Sequence, residues 1–320
     1  MKNVLILFGG NSFEHEVSCK SVNFILDNID KNLFSYKLVG IDFDNTWYEV
    51  YDKTYVNKNW KNNILKKIDN IIEYSKKFDI VFPVIHGNGF EDGKLQSIFE
   101  LYNINYVGSN SYSSLISYDK LLTKLILEKY SIPQVPYIIY NENLDFNTIE
   151  YPVIIKPCKC GSSIGISVVY KKSQIKEAIE NALKYDRNII IEKFIENNRE
   201  LECAILEAKN NLVISDIGEI LNNGCWYDFE HKYIKEVDTT ISDINENIKS
   251  NLQMYSKKIF KILDCKDLSR IDFLYDLNTN KLYFNEINTM PGFTEISMYP
   301  KLIKNSGINF KDLISTLLNK

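Results

Sequence analysis

Four side chains near the carboxy end have the types and spacing that metal-assisted phosphate chemistry needs. The run Ser269-Arg270-Ile271-Asp272-Phe273-Leu274-Tyr275 alternates as a strand does, with Arg270 and Asp272 on one face and Ile271 and Phe273 on the other. Downstream, Leu282, Tyr283, Phe284 and Ile287 form a second strand that ends at Pro291-Gly292, so Glu286 and Asn288 share a face. Asp276 to Asn280 is a turn-rich spacer of hairpin length. Paired, the two runs bring Asp272, Glu286 and Asn288 together as oxygen donors beside the Arg270 cation. Hard oxygen donors suit Mg²⁺ shared with substrate phosphates. An ordinary polar hairpin face is the other reading of the same residues.

The rest of the chain must position these groups. At 320 residues and 45% hydrophobic it can bury substantial cores, and its length predicts two or three domains. A formal charge of −4 argues against a nucleic-acid partner, which calls for a clustered basic footprint. No apolar run approaches the roughly 18–20 residues of a membrane span. The apolar start at Val4–Phe8 is cut short by Gly9-Gly10 and then Glu14, His15 and Glu16, which predicts a buried first strand rather than a signal peptide. Six scattered cysteines form no disulfide framework and no CxxC pair, consistent with a reducing cytoplasm. Cys158-Lys159-Cys160 is a lone CxC, weak as a metal site.

Val4–Phe8 reads as a central parallel strand. It breaks at Gly9–Ser12, and Val22, Ile25, Leu26 and Ile29 follow at helical spacing. Ligands bind at the carboxyl ends of strands in such βα units. Glu14 and His15 stand at that end, where a carboxylate could hold a substrate ammonium or merely complement the helix dipole. Tyr36–Ile41 is a second strand, and the polar stretch from Asp42 to about Asn70 suggests an exposed hairpin. Phe78–Ile85 is a buried strand ending in His86–Gly93, again glycines and polar groups at a carboxyl end. Tyr106–Gly108 reads as a short strand, and Ser109–Ser114 as a linker.

Beyond it, a helix carries Leu121, Leu122 and Leu125. Tyr151–Pro157 is a strand with Lys156 near its end, followed by a small-residue loop from Cys160 to Ile166 and a returning strand at Ser167–Tyr170. There is no GxxxxGK[ST], but backbone groups in such a hairpin loop can cover phosphates, as the kinase glycine-rich loop does. A plain hairpin turn is the alternative. Asn188–Ile195 is a strand leading from Glu192 into a short apolar segment, which suits a nucleotide hinge. Arg199–Glu202 begins a further strand. Gly224–Tyr233, aromatic and charged, has the look of a lid. Leu252, Tyr255, Ile259, Ile262 and Leu263 stripe one helix, and Asn309–Leu318 reads as a closing helix.

Eight stretches in order resemble the D-alanine–D-alanine ligases of the ATP-grasp superfamily: GGNSFEHEVS (9–18), HGNGFEDG (86–93), DKLLTK (119–124), IKPCKCGSSIGI (155–166), EKFI (192–195), YDFEHKY (227–233), RIDF (270–273) and NEINTMPGFT (285–294). The resemblance covers nearly the whole chain. It implies α/β and α+β architecture: an N-terminal parallel-sheet α/β domain over 1–114, a small central subdomain over 115–203, and a C-terminal subdomain over 204–320. It also implies ATP-dependent joining of two D-alanines through an acyl phosphate, for peptidoglycan precursors. ATP, two Mg²⁺ ions (Mn²⁺ substituting), a cytoplasmic setting and a homodimer come with it.

By the same resemblance Glu14 binds the first substrate's ammonium, with His86 near its carboxylate. Lys120 and Lys156 touch phosphates beneath Ser162 and Ser163. Glu192, Lys193, Phe194 and Ile195 line the adenine pocket, and Glu200 meets the ribose. From the lid, Lys232 approaches the γ-phosphate and Tyr233 joins Ser162 and Glu14 in an orienting group. Asp272, Glu286 and Asn288 hold metal, while Arg270 and the Gly292 N–H stabilise the oxyanion. Ser297 and Met298 meet the second substrate.

Phe90 stands where the family usually has glycine, which would mean strain if that position required positive φ. Ligases making D-alanyl-D-serine or D-alanyl-D-lactate are the nearest rivals. Lys232-Tyr233 argues against lactate and Ser297-Met298 against serine, while Phe229, where a second tyrosine is common, weakens the alanine reading. A non-catalytic nucleotide-binding module would tolerate loss of the metal ligands, which are all kept here. A dinucleotide oxidoreductase would need the GxGxxG that the first turn lacks.

Overall fold

A computed structural model describes every residue except 52–55, 58, 63–64, 210 and 222–238. The first part of the chain runs β1 (Lys2–Gly9), α1 (His15–Asn28), β2 (Phe34–Ile41), β3 (Trp47–Val50), β4 (Leu65–Lys67), α2 (Ile71–Ser75), β5 (Ile80–Pro83) and α3 (Lys94–Leu101). These strands form one sheet in the order β4-β3-β2-β1-β5. β1 is parallel to both neighbours, β2 and β5. Its side chains from Val4 to Phe8 are all buried, because a parallel strand with layers on both faces has no wet side.

The polar stretch after β2 does pair β3 with β4 antiparallel, yet it is not simply an exposed hairpin. Trp60 within it is fully buried, edge-on to Phe8 at 5.2 Å between ring centroids. Gly40 makes room for it: a Cβ there would lie 2.6 Å from the indole. The expected strand at Tyr106–Gly108 is reduced to a single bridge between Val81 and Tyr106. Helix α4 (Ser111–Tyr118) starts inside the expected linker, capped by the Asn110 side chain, which accepts from Ser113 N at 2.8 Å.

After α5 (Lys120–Lys129) come β6 (Tyr137–Ile139), β7 (Val153–Pro157), β8 (Ser167–Val169), α6 (Ile175–Leu183) and β9 (Ile189–Lys193). Their sheet has the order β6-β9-β7-β8. Helix α6 covers it with Ile175, Ala178, Ile179 and Ala182, all buried at i, i+3, i+4, i+7 spacing. The last part holds β10 (Asn198–Ala208), β11 (Asn211–Ile220), β12 (Thr239–Ile241), α7 (Glu246–Ile262), β13 (Leu268–Asp276), β14 (Lys281–Asn288), α8 (Met298–Asn305) and α9 (Phe310–Leu318). Its sheet order is β12-β11-β10-β13-β14.

The boundary expected between Cys203 and Ala204 falls inside β10, which pairs with β13 from Asn198 to Leu206. No glycine or proline interrupts residues 198–208, so nothing local could end the strand there. One apolar cluster joins β1, α1, β10, α8 and α9. Within it Phe24 meets Phe310 at 4.8 Å and Phe293 at 6.0 Å, while Phe82 meets Phe293 at 5.9 Å. The Phe293 contacts hold α1 and the carboxyl end of β5 against the segment that follows β14. No helix among the described residues is long and apolar enough to cross a membrane.

Candidate active site

The β13–β14 hairpin forms with Arg270 opposite Asn288 and Asp272 opposite Glu286, so the four side chains share a face. Asp272 takes the Arg270 guanidinium bidentately, Nε to Oδ1 at 2.8 Å and Nη2 to Oδ2 at 2.7 Å. Asn288 Nδ2 donates to Asp272 Oδ2 at 3.1 Å. From β10, where Glu202 lies opposite Asp272, a further carboxylate reaches Arg270 Nε at 3.2 Å. Burial works against the Arg270 charge, but Asp272 and Glu202 more than offset it and hold the guanidinium well above its ordinary pKa.

Sequence reasoning missed two members of this site. Glu202 was read only as part of a strand start. Asn285 was not singled out, since strict alternation puts it on the face opposite Glu286. The pairing shifts between Asp272 and Phe273, whose partners are Glu286 and Phe284, and leaves Asn285 as the extra residue of a bulge. Its Oδ1 then accepts from Lys156 Nζ at 3.1 Å. The signal was present: Phe284 and Ile287, both buried, are three apart, which an unbroken strand with one buried face does not allow.

Between the second and third sheets lies an open cleft. Lys156, Glu192, Lys193, Phe194 and Ile195 line one wall, Asn198, Glu200, Leu274, Asn285 and Glu286 the other, and Lys120 with Cys160–Ser163 the rim. Helix α5 presents Lys120 at its first residue, because the Asp119 side chain caps the helix by accepting from Leu121 N and Leu122 N. Lys120 Nζ donates to Cys160 O at 2.6 Å and lies 3.8 Å from Glu286 Oε2, so this lysine joins the loop to the hairpin.

The Glu192 carboxylate is held by two ammoniums, Lys124 at 2.7 Å and Lys156 at 2.6 Å. Burial alone would push its pKa up, yet the two lysines bring it down to about 2. The Gly/Ser loop turns on Ser162 and Ser163, both at positive φ (53° and 58°), with Ile164 N donating to Gly161 O at 3.1 Å. Two such residues in succession have the φ signs of a type I′ turn, which favours Asn and Gly; serines here carry local strain of the kind found at ligand loops. In the CxC pair, burial pushes the Cys158 thiol up to about 12 and raises Cys160.

Glu14 begins α1 beyond the turn after β1, and its N–H donates to Ser12 Oγ at 3.2 Å. Its Oε2 lies between two glycines: a Cβ on Gly87 would be 3.4 Å from it and one on Gly161 3.8 Å. The carboxylate therefore stands where the β5 loop and the Gly/Ser loop meet. Beside it His15 is fixed as the Nδ1–H tautomer: Nδ1 lies 2.6 Å from Gly10 O while Nε2 accepts from Trp60 Nε1 at 3.0 Å.

His86 is buried, and burial lowers its pKa against the pull of Glu14. Its Nδ1 lies 3.1 Å from Met290 O, so a neutral ring carries its proton there. Nε2 is then an acceptor, with no hydrogen-bond partner among the described residues. A substrate carboxylate at Nε2 would require the ring to take a second proton. Glu91 went unremarked in the sequence reading. It accepts from Gly87 N at 2.7 Å, and burial, then Glu14, push its carboxyl up to about 8.

Phe90 is not at positive φ, so the anticipated strain is absent. Its ring is buried over Gly10, where a Cβ would lie 2.8 Å from it. At the other edge of the site Ser297 Oγ bonds Thr294 N at 3.1 Å and Thr294 Oγ1 at 2.8 Å, and would lie 3.0 Å from a Cβ on Gly292. Met298, expected as a substrate contact, buries its side chain in the core against Gly218, since it opens α8 on the side packed on β11. Lys232, Tyr233 and the rest of the expected lid lie outside the described residues.

Two family models match, "D-ala D-ala ligase N-terminus" over residues 3–109 and "D-ala D-ala ligase C-terminus" over residues 126–319. The chain belongs to the D-alanine–D-alanine ligase family. It is 39% identical to a D-alanine–D-alanine ligase of Acetivibrio thermocellus, covering 99% of this chain and 95% of that protein. Against one of Clostridium novyi it is 37% identical, covering 99% and 97%. Among solved structures, the VanG D-Ala:D-Ser ligase of Enterococcus faecalis matches at TM-score 0.87 and 31% identity, covering 99% and 98%. The D-alanine–D-alanine ligase of Coxiella burnetii matches at TM-score 0.87 and 29% identity, covering 99% and 93%. The architecture is thus that of the ATP-grasp ligases, with mixed α/β content in three sheets among the described residues.

Proposed function

We propose that this chain is an ATP-dependent ligase that joins two D-alanines into D-alanyl-D-alanine for peptidoglycan precursors. The observation that carries the reading is the meeting of the Arg270–Asp272–Glu286–Asn288 face with the lysine-lined cleft, through the Lys120–Glu286 contact. Identities of 37–39% with D-alanine–D-alanine ligases over nearly the whole chain support it.

A carboxylate is a poor acyl donor at neutral pH, so the first substrate must gain a leaving group. Its oxygen attacks the γ-phosphorus, ADP departs and an acyl phosphate forms. The free amine of the second D-alanine attacks the acyl carbon, and inorganic phosphate leaves. In this reading Lys120 and Lys156 neutralise nucleotide phosphates, and the strained turn at Ser162-Ser163 covers them. Glu192 to Ile195 line the adenine side and Glu200 the ribose. Glu14 orients the first ammonium, and His86 faces that substrate. Arg270 and the Gly292 N–H stabilise the oxyanion of the tetrahedral intermediate, a contribution of the kind worth roughly 10²–10³ in rate. Ser297 receives the second carboxylate.

Asp272, Glu286 and the Asn288 amide oxygen would hold Mg²⁺. No group of three or more His, Cys, Asp or Glu residues forms a metal cage among the described residues. Two carboxylates and an amide fit an ion that takes its remaining ligands from phosphates and water. Bound there, Mg²⁺ supplies charge neutralisation for the phosphates.

Purified protein with D-alanine, ATP and Mg²⁺ should release phosphate and form the dipeptide; no turnover across D-amino acids at millimolar concentration discards the reading. D-Serine as second substrate is the competing reading, favoured by the likeness to the D-Ala:D-Ser ligase structure. Product analysis with D-alanine, D-serine and D-lactate in competition separates them. A cytoplasmic homodimer completes the proposal, and light scattering tests the dimer.

A further inference from the structure

Lys124 is the most deeply buried charge next to the nucleotide cleft, and no step of the proposed mechanism uses it. Its side chain is 2% exposed, its Nζ is 2.7 Å from Glu192 Oε1, and the ammonium stands over the Tyr137 ring at 5.2 Å from the centroid. The second Glu192 oxygen meets Lys156 Nζ at 2.6 Å. Of the two lysines only Lys156 lines the cleft, where it also meets Asn285 at 3.1 Å.

A buried lysine is costly, and one carboxylate needs only one ammonium for neutrality. Burial lowers the Lys124 pKa, and the Glu192 carboxylate 2.7 Å away works against that; with Lys124 protonated the triad carries two cations and one anion and keeps one net positive charge. Without Lys124, Glu192 and Lys156 would form a closed neutral pair, and the cleft would meet a polyanion with Lys156 already satisfied. We propose that Lys124 is a positioning residue for the nucleotide: its buried ammonium occupies one side of Glu192, so that Lys156 remains a net cation toward ATP phosphates. This rests on the reading of the cleft as the ATP site.

The test is direct binding of ATP and of adenosine, which lacks phosphates, to the native protein and to Lys124→Met, Glu192→Gln, Lys124→Met/Glu192→Gln and Lys156→Met. Lys124→Met weakens ATP binding about tenfold, the size of one charge-assisted contact, and leaves adenosine binding unchanged. The double variant, with the carboxylate charge also gone, recovers ATP affinity to within about threefold of Glu192→Gln, the coupling expected of groups in one ion network. A packing role alone would show no such recovery. Unchanged ATP binding in Lys124→Met, equal losses for ATP and adenosine, or no recovery in the double variant overturns the proposal. Native-like ATP binding by Lys156→Met would instead overturn the reading of the cleft. If Lys124→Met does not fold, Lys124→Gln, which shortens the stem and removes the charge, takes its place: an ATP-selective loss of about tenfold supports the proposal, and unchanged ATP binding or equal losses for ATP and adenosine refute it.

Discussion

Replacing Arg270 by methionine tests the ion cluster on which the hairpin site is built. The guanidinium makes two bonds to Asp272, at 2.8 and 2.7 Å, and lies 3.2 Å from Glu202. Glu202 and Asp272 are both buried, and the Arg270 guanidinium forms an ion pair with each of them. Methionine fills a similar volume but leaves two carboxylates without their shared cation. Breaking a buried pair by removing one partner costs about 3–5 kcal/mol. Urea unfolding followed by tryptophan fluorescence should show that loss, and turnover should fall about 10²–10³-fold with the oxyanion contact. Adding Glu202→Gln removes one of the two buried carboxylate charges that Arg270 faces and should return about 0.5–3 kcal/mol of the lost stability. A loss below about 1 kcal/mol, or strictly additive effects of the two substitutions, would refute the claim that the guanidinium holds the carboxylates together.

Three further outcomes follow from the same geometry. Glu286→Gln should lower turnover at least about 10²-fold and move the Mg²⁺ titration to higher concentration; phosphate release measured against Mg²⁺ checks it, and a near-native curve counts against a metal role. Glu91 has its carboxyl raised to about 8 in the fold, from an ordinary 4.5, so the fold favours the neutral form. Its stabilising contribution is present in full below the ordinary value and is lost as pH rises through about 8. Thermal midpoints of the native chain and Glu91→Gln should therefore agree near pH 4 and diverge toward pH 8 in favour of the variant; parallel profiles sink the assignment. Phe90→Ala should cost about 3–5 kcal/mol, because the ring is buried over Gly10 and its removal leaves a cavity there; urea unfolding reads it, and a change under about 1 kcal/mol would mean that the loop collapses to fill the gap.

Alternation and turn chemistry are local, and by themselves they determined the hairpin. Arg270, Asp272, Glu286 and Asn288 share a face because side chains alternate along a strand, and Asp276–Asn280 supplies the turn. The buried first strand and the loop between β7 and β8 were legible for the same reason. Only the tertiary structure decided what depends on two distant segments meeting. Glu202 joins Arg270 because β10 pairs with β13, some seventy residues on. Trp60 leaves the surface because Gly40 opens a slot for it, and Met298 turns into the core because α8 packs on β11. Asn285 reaches Lys156 through a one-residue bulge that reverses the local facing, and Glu91 acquires its raised pKa from burial beside Glu14, a partner on another loop. Periodicity fixes which way a side chain leaves its own element; what it then meets is set by packing between elements, and pairing, bulges and burial are properties of the assembled fold.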